Sequence, residues 1–95
     1  VDVVLGGDDH DYERFAPQTP TGYLDLADGV SQFVVGTGGR LLYSFEDSIP
    51  QPNSEVRNDD AFGVLKLRLR DGSYDWEFLP EAGRTFTDFG SRPCH

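Results

Sequence analysis

Ala61-Phe62-Gly63-Val64-Leu65-Lys66-Leu67-Arg68-Leu69-Arg70-Asp71-Gly72-Ser73-Tyr74-Asp75-Trp76-Glu77-Phe78-Leu79-Pro80 is nearly self-complementary when folded about Asp71-Gly72. An Asp-Gly pair between two alternating runs is a strong short-range hairpin signal and suits a two-residue type I′ turn. Setting Arg70 opposite Ser73 places Leu69 against Tyr74, Leu67 against Trp76 and Leu65 against Phe78, all on one face. The other face then sets Arg68 against Asp75 and Lys66 against Glu77. One register satisfies the apolar pairs and the charge pairs together, and a slip of one residue would invert both faces. A β-hairpin at about 61–80 follows, with an aromatic face that some other part of the chain must cover.

Two further strands are expected on either side of the loops that precede the hairpin. Asp2 to Gly6 and Gln32 to Gly36 are short, continuous apolar runs, the pattern of strands buried on both faces. The apolar start at Val1 implies that the first of these has a sheet partner upstream. Tyr23 to Asp28 has the make-up of a single helical turn stopped by Gly29. Residues 15–23 hold two prolines and a glycine, and residues 46–60 are polar without a period, which predicts a long surface loop. With 95 residues and no internal repeat, the expectation is one small, mostly β unit whose core is compact or shared with other sequence.

Charge narrows the class of partner. A formal net charge of -9 disfavours a nucleic-acid backbone, which is met by Lys and Arg. It suits solubility in an extracellular or salty medium. No run approaches the roughly 20 apolar residues of a membrane span. Cys94 is the single cysteine, so within this chain it can pair only between molecules; it is otherwise a free thiol or half of a bridge to sequence outside these 95 residues. His95, at the end, is expected to be unstructured.

The chemistry concentrates in Gly6-Gly7-Asp8-Asp9-His10-Asp11-Tyr12-Glu13-Arg14, directly after the first strand. Two glycines permit a sharp turn. Three carboxylates and one imidazole then follow within four residues, and side chains at i and i+2 of an extended loop can reach one metal from two sides or two neighbouring metals. A mixed oxygen and nitrogen donor set suits Mn, Fe or Zn better than Ca. A solvated acidic turn is the plain alternative. Gly36-Thr37-Gly38-Gly39 lacks the Lys and helix of a phosphate-binding P-loop and is expected instead to let a loop pass close beside the Asp8–His10 segment.

Val4 to Gln18, Val-Leu-Gly-Gly-Asp-Asp-His-Asp-Tyr-Glu-Arg-Phe-Ala-Pro-Gln, resembles the last motif of the calcineurin-like metallophosphoesterases, the branch that includes purple acid phosphatases. That motif is a strand ending in Gly-His-x-His, often followed by x-Tyr-Glu-Arg. The resemblance continues through Phe33 to Gly39, Phe62 to Leu67, Tyr74 to Phe78 and Thr85 to Asp88, and the chain looks like the secreted bacterial members. It implies that residues 1–95 are the C-terminal portion of a two-layer α/β sandwich, supplying the last strands of one sheet. It implies a secreted or periplasmic parent that hydrolyses phosphate esters by two-metal activation of water, using Fe, Zn or Mn.

Under this resemblance His10 takes the place of the motif's second His and Asp8 that of the first, a departure from the pattern. Tyr12 and Arg14 shape the site, Arg14 through an ion pair or a direct phosphate contact. No catalytic residue beyond these positions is implied. The family's other ligands come from Asp-x-His, Gly-Asp-x-x-Asp and Gly-Asn-His motifs, which the resemblance places upstream. Two ligand positions do not make a two-metal centre, so the isolated chain is expected to be inactive and to hold metal weakly or not at all.

The competing expectation is a non-catalytic β-rich module that self-associates or binds another protein through an open strand edge. A simple Ca-binding loop is disfavoured by His10 and by the lack of an Asp-x-Asp-x-Asp-Gly pattern.

Overall fold

The computed structural model describes residues 1–45 and 49–95, and within them the chain is all β. Seven strands form two sheets: β1 (Val3–Gly6), β2 (Tyr12–Phe15), β3 (Ser31–Val35), β4 (Ser54–Asn58), β5 (Gly63–Arg70), β6 (Ser73–Pro80) and β7 (Phe89–Pro93). The first sheet has the order β1-β3-β2-β4 and the second β5-β6-β7. β1 runs parallel to β3, while β2 is antiparallel to both β3 and β4.

The hairpin has the expected register at every position, from Arg70 opposite Ser73 to Leu65 opposite Phe78. Tyr74, Trp76 and Phe78 are buried on one face of β6. Tyr12 and Phe33 of the first sheet face them, with Ala61 also buried and Phe86 packed at the side. Ring centroids lie 5.5 Å apart for Phe33–Trp76, 4.9 Å for Tyr12–Phe78 and 5.3 Å for Phe78–Phe86, tilted or edge-on as aromatic quadrupoles prefer. The hairpin's aromatic face is thus covered by β2, β3 and the segment before β7, and that contact is the core.

Details of the hairpin depart from expectation. Gly72 has φ +78° but Asp71 is not among the residues with positive φ, so the turn is not type I′. Asp75 pairs diagonally with Arg70 at 2.7 Å rather than with Arg68 across the ladder. Leu69, beside the turn, is exposed.

Three strands were not evident in the sequence. β2 lies inside the acidic segment, β4 inside the stretch expected to be a loop over 46–60, and β7 in the tail. Residues 46–48 of that stretch lie outside the described residues. β4 has one apolar residue, Val56, yet its polar side chains are matched to β2: Ser54 Oγ donates to Glu13 Oε2 at 2.6 Å, and Arg57 lies 3.5 Å from Glu13. β1 is an edge strand, not a buried one. Val4 and Leu5 are about half exposed, because only β3 pairs with it and little packs over its outer face. The helical turn before Gly29 is reduced to one i→i+4 bond, Gly29 N to Asp25 O at 2.9 Å, in a chain with no helix among the described residues. His95 is held rather than loose: its backbone N donates to Asp2 Oδ1 at 2.8 Å.

Two buried carboxylates oppose one another in their effect on stability. Asp88 accepts Nε of Arg14 at 2.7 Å, Nη2 at 3.1 Å and the Tyr12 hydroxyl at 2.6 Å. Burial pushes the Asp88 pKa up, but the bonds from Arg14 and Tyr12 and the guanidinium charge outweigh it and hold the carboxyl below the usual range. Burial, followed by the bond to Asp88, raises the Tyr12 phenol far above its ordinary value. Asp11, by contrast, is raised from 3.8 to about 6, first by burial and then by repulsion from Asp9 and Glu13.

The signs follow from linkage. Asp88 has a depressed folded pKa, so its contribution is complete above the unfolded carboxylate value of about 3.9 and is lost as pH falls through its lower folded value. Asp11 favours the folded state only when protonated, and that advantage disappears as pH rises from about 4 through about 6. Asp88→Asn should cost about 3 kcal/mol near neutral pH, because it removes the bidentate partner of the buried Arg14 charge and leaves only Glu55. Asp11→Asn should instead gain on the order of 2 kcal/mol near neutral pH, with no gain at about pH 4. Urea unfolding of both variants and the parent chain across this range measures each difference; Asp11→Asn tracking the parent at every pH would contradict the assignment.

Candidate functional site

The loop between β1 and β2 is short and tightly hydrogen-bonded. β1 ends at Gly6, and Asp9 N bonds to Gly7 O while Asp11 N bonds to Asp9 O, both at 2.9 Å. Asp8 sits at φ +72°, the left-handed region that Asp tolerates better than most residues because its short polar side chain can bond locally. Its side chain is exposed. Asp11 points inward and is buried, and Tyr12 begins β2.

The second wall of the site is the chain that leaves β3. Gly36 N donates to Asp11 O at 2.9 Å. A Cβ at Gly36 would stand 1.8 Å from the Asp9 carbonyl oxygen, so only glycine allows this approach. The expectation that the glycine loop passes beside the Asp8–His10 segment is therefore met. Thr37, wholly buried, ties the same loop to the hairpin: its Oγ1 donates to Gly63 O and its carbonyl accepts Gly63 N, both at 3.0 Å.

Beyond the glycines the chain returns to His10. Tyr43 N donates to His10 O at 2.7 Å, and the Tyr43 ring stacks on the imidazole with centroids 4.1 Å apart and planes 18° from parallel. His10 Nδ1 lies 2.7 Å from Leu41 O. A carbonyl only accepts, so Nδ1 carries the proton, and in the neutral ring Nε2 keeps its lone pair. This is the arrangement by which proteins present imidazole to a metal, with one nitrogen bonded to the backbone and the other turned to the ligand.

The other expected site residues divide by role. Arg14 is drawn away from the loop: Nε and Nη2 meet Asp88, Nη1 meets Glu55, and the guanidinium lies 4.9 Å from the Trp76 ring centroid. Tyr12 donates to the same Asp88. Both residues brace the strand that carries the loop into the core. Among the described residues, no group of three or more His, Cys, Asp and Glu side chains is placed to hold a metal ion. Gly7-Asp8-Asp9-His10-Asp11 also has the spacing of Gly-Asp-x-x-Asp, and Asp8-Asp9-His10 that of Asp-x-His. These readings use the same side chains over again, and Asp11 is buried, so they add no ligands. The residues present fit a part of a ligand set, with His10 well prepared and Asp8 accessible, and not a whole one.

Sequence reasoning missed Asp11 as an inward-facing acid, Leu41 and Tyr43 as the contacts of His10, and Asp88 and Glu55 as the partners of Arg14. The run Gly38-Gly39-Arg40-Leu41-Leu42-Tyr43 carries no local mark of its contact with a residue some thirty positions earlier. Asp88 could have been sought as the acid needed by an arginine embedded in an aromatic strand. No protein-family model matches the chain, and no curated protein or solved structure matches it either.

Proposed function

We propose that this chain is the C-terminal portion of a secreted or periplasmic calcineurin-like metallophosphoesterase, and that Asp8 and His10 supply one rim of its two-metal centre. The observation that carries the reading is His10: it stands in the segment that resembles the family's last motif, tied through Nδ1 to Leu41 O with Nε2 left for a ligand. In the whole protein the two sheets would be the terminal strands of a larger two-layer α/β sandwich. Fe, Zn or Mn bound there would supply Lewis acidity and a hydroxide at neutral pH for in-line attack on a phosphate ester.

The chain's own residues have narrower tasks. His10 offers a neutral nitrogen in a fixed plane. Asp8 offers a shorter, anionic donor where the family's pattern has imidazole, which favours a harder cation at that position. Arg14 and Tyr12, bound to Asp88, keep β2 and the end of the loop in register with the core.

A second reading is favoured by the sheet edges. β1 and β5 are both end strands, and Val4, Leu5 and Val64 are exposed. The groove between them, lined by Leu5, Gly6, Val35, Gly63, Val64 and Leu67 among others, holds no charged side chain. A second copy of the chain could pair there.

The purified 95-residue chain should hydrolyse p-nitrophenyl phosphate at the background rate with added Mn, Zn or Fe. Turnover abolished by His10→Ala would show that it builds a centre of its own. In a longer protein containing the upstream ligand motifs, Asp8→His should raise metal affinity and activity. A loss on Asp8→His with no effect of Asp8→Ala would remove Asp8 from the ligand set. For the second reading, light scattering on a size-exclusion column should show concentration-dependent association that Leu5→Lys suppresses; a monomer at all concentrations excludes it.

A further inference from the structure

We propose that Tyr43 is a positioning residue for His10: with the Leu41 carbonyl, it forms a clip that fixes the imidazole in its Nδ1–H tautomer and sets the plane in which Nε2 is offered. Three contacts converge on one residue from one short segment, two of them on its imidazole. Leu41 O accepts Nδ1–H at 2.7 Å, Tyr43 N holds the His10 carbonyl at 2.7 Å, and the Tyr43 ring lies on the imidazole at 4.1 Å and 18°. The backbone bond fixes where the His10 main chain stands. The carbonyl fixes which nitrogen carries the proton. The stacked ring removes rotation about the Cβ–Cγ bond, which the carbonyl bond alone would leave soft because that torsion is broad.

The clip is built for orientation rather than for core stability. Tyr43 is half exposed and takes no part in the aromatic cluster between the sheets. Its stacking partner is the single imidazole of the loop. An outer contact of this kind is what a metal-binding His requires to hold one tautomer. The geometry of the clip is independent of the phosphoesterase reading. The use to which Nε2 is put rests on that reading, and the two are separable by experiment.

The chain contains only two histidines, His10 and His95, so ring nitrogens can be followed individually by long-range proton–nitrogen NMR on the 95-residue chain. At about pH 9, where free imidazole is neutral, His10 should show a protonated Nδ1 and a bare Nε2. His95 serves as the internal comparison. Tyr43→Ala should return His10 toward a mixture of tautomers, and Tyr43→Phe, which keeps the ring, should preserve the wild-type pattern. The backbone amide spectrum away from residues 7–11 and 36–45 should be unchanged in both, which separates loss of the clip from loss of the fold. An Nε2–H tautomer in the parent chain, or the same tautomer in Tyr43→Ala, overturns the proposal. Zn added to the same samples supplies the second arm. Perturbation at His10 Nε2, weakened about tenfold by Tyr43→Ala and not by Tyr43→Phe, supports a positioning role toward metal. A fixed tautomer with no response of His10 to Zn leaves the clip in place and removes the assigned use of Nε2 toward metal in this chain, which is expected to hold metal weakly at most.

Discussion

The bidentate pair between Arg14 and Asp88 is the constraint on which the two sheets depend. Arg14 belongs to the middle of the four-stranded sheet, and Asp88 precedes the last strand of the three-stranded one. A guanidinium taken out of water loses hydration that only close, well-aimed acceptors can replace. Here Asp88 meets two of its nitrogens, Glu55 meets the third, and the face lies against Trp76. Arg92 of β7 also reaches Glu55, at 2.8 Å, and lies over the same indole. The result is a charged seam along one side of an aromatic core. It holds the relative position of sheets that otherwise share only a small set of buried side chains. Such a pair adds less to net stability than its contacts suggest, but it makes any shifted packing of the sheets costly, because each partner would be left buried and unpaired.

That seam explains which parts of the fold could be read in the sequence. The hairpin was legible because everything that determines it is local: a turn dipeptide, alternation, and two sets of facing side chains in one register. β1 and β3 were legible as strands from their apolar runs, but the burial of β1 was not, since it depends on the number of neighbours a strand acquires. β2, β4 and β7 carry too few apolar residues to announce themselves. Ser54-Glu55-Val56-Arg57-Asn58 forms a strand because Glu13 and Arg14 of β2 offer it partners, and those partners are remote in sequence. Polar strands of this kind are specified by pairwise matches between distant residues, which periodicity does not display.

The site was legible to a similar depth. The cluster of acids and one imidazole after a glycine pair marks His10 and Asp8 as candidate ligands, and on the loop Asp8 is exposed and His10 partly so. What periodicity and spacing do not contain is direction. Asp9 and Asp11 belong to the same acidic run, yet Asp9 is exposed while Asp11 is buried near Glu13 and Arg57. The orientation of His10 is set by Leu41 and Tyr43, and their return to the loop depends on Gly36 passing against Asp9. A single glycine permits a close approach, the approach brings a carbonyl to an imidazole, and the carbonyl decides which nitrogen faces outward.

The acidic balance of the chain takes on a structural meaning in this light. Arg14, Arg57, Arg70, Arg84 and Arg92 all stand in ion pairs with carboxylates of the chain itself. These five cations are therefore used internally, where a fork of donors can join neighbouring segments. The surplus acids lie mostly on the surface. Arg40, Lys66 and Arg68 stand in none of these pairs, against a formal net charge of -9. An anionic substrate approaching the His10 loop would meet Asp8 and Asp9 first and would be repelled by them. A phosphate ester can be held at this rim only if cations from elsewhere reverse the local field, which is the role that the proposed metal pair would fill. The same acids that would repel a bare anion would attract a cation, so under the proposed reading the metal would have to bind before the substrate.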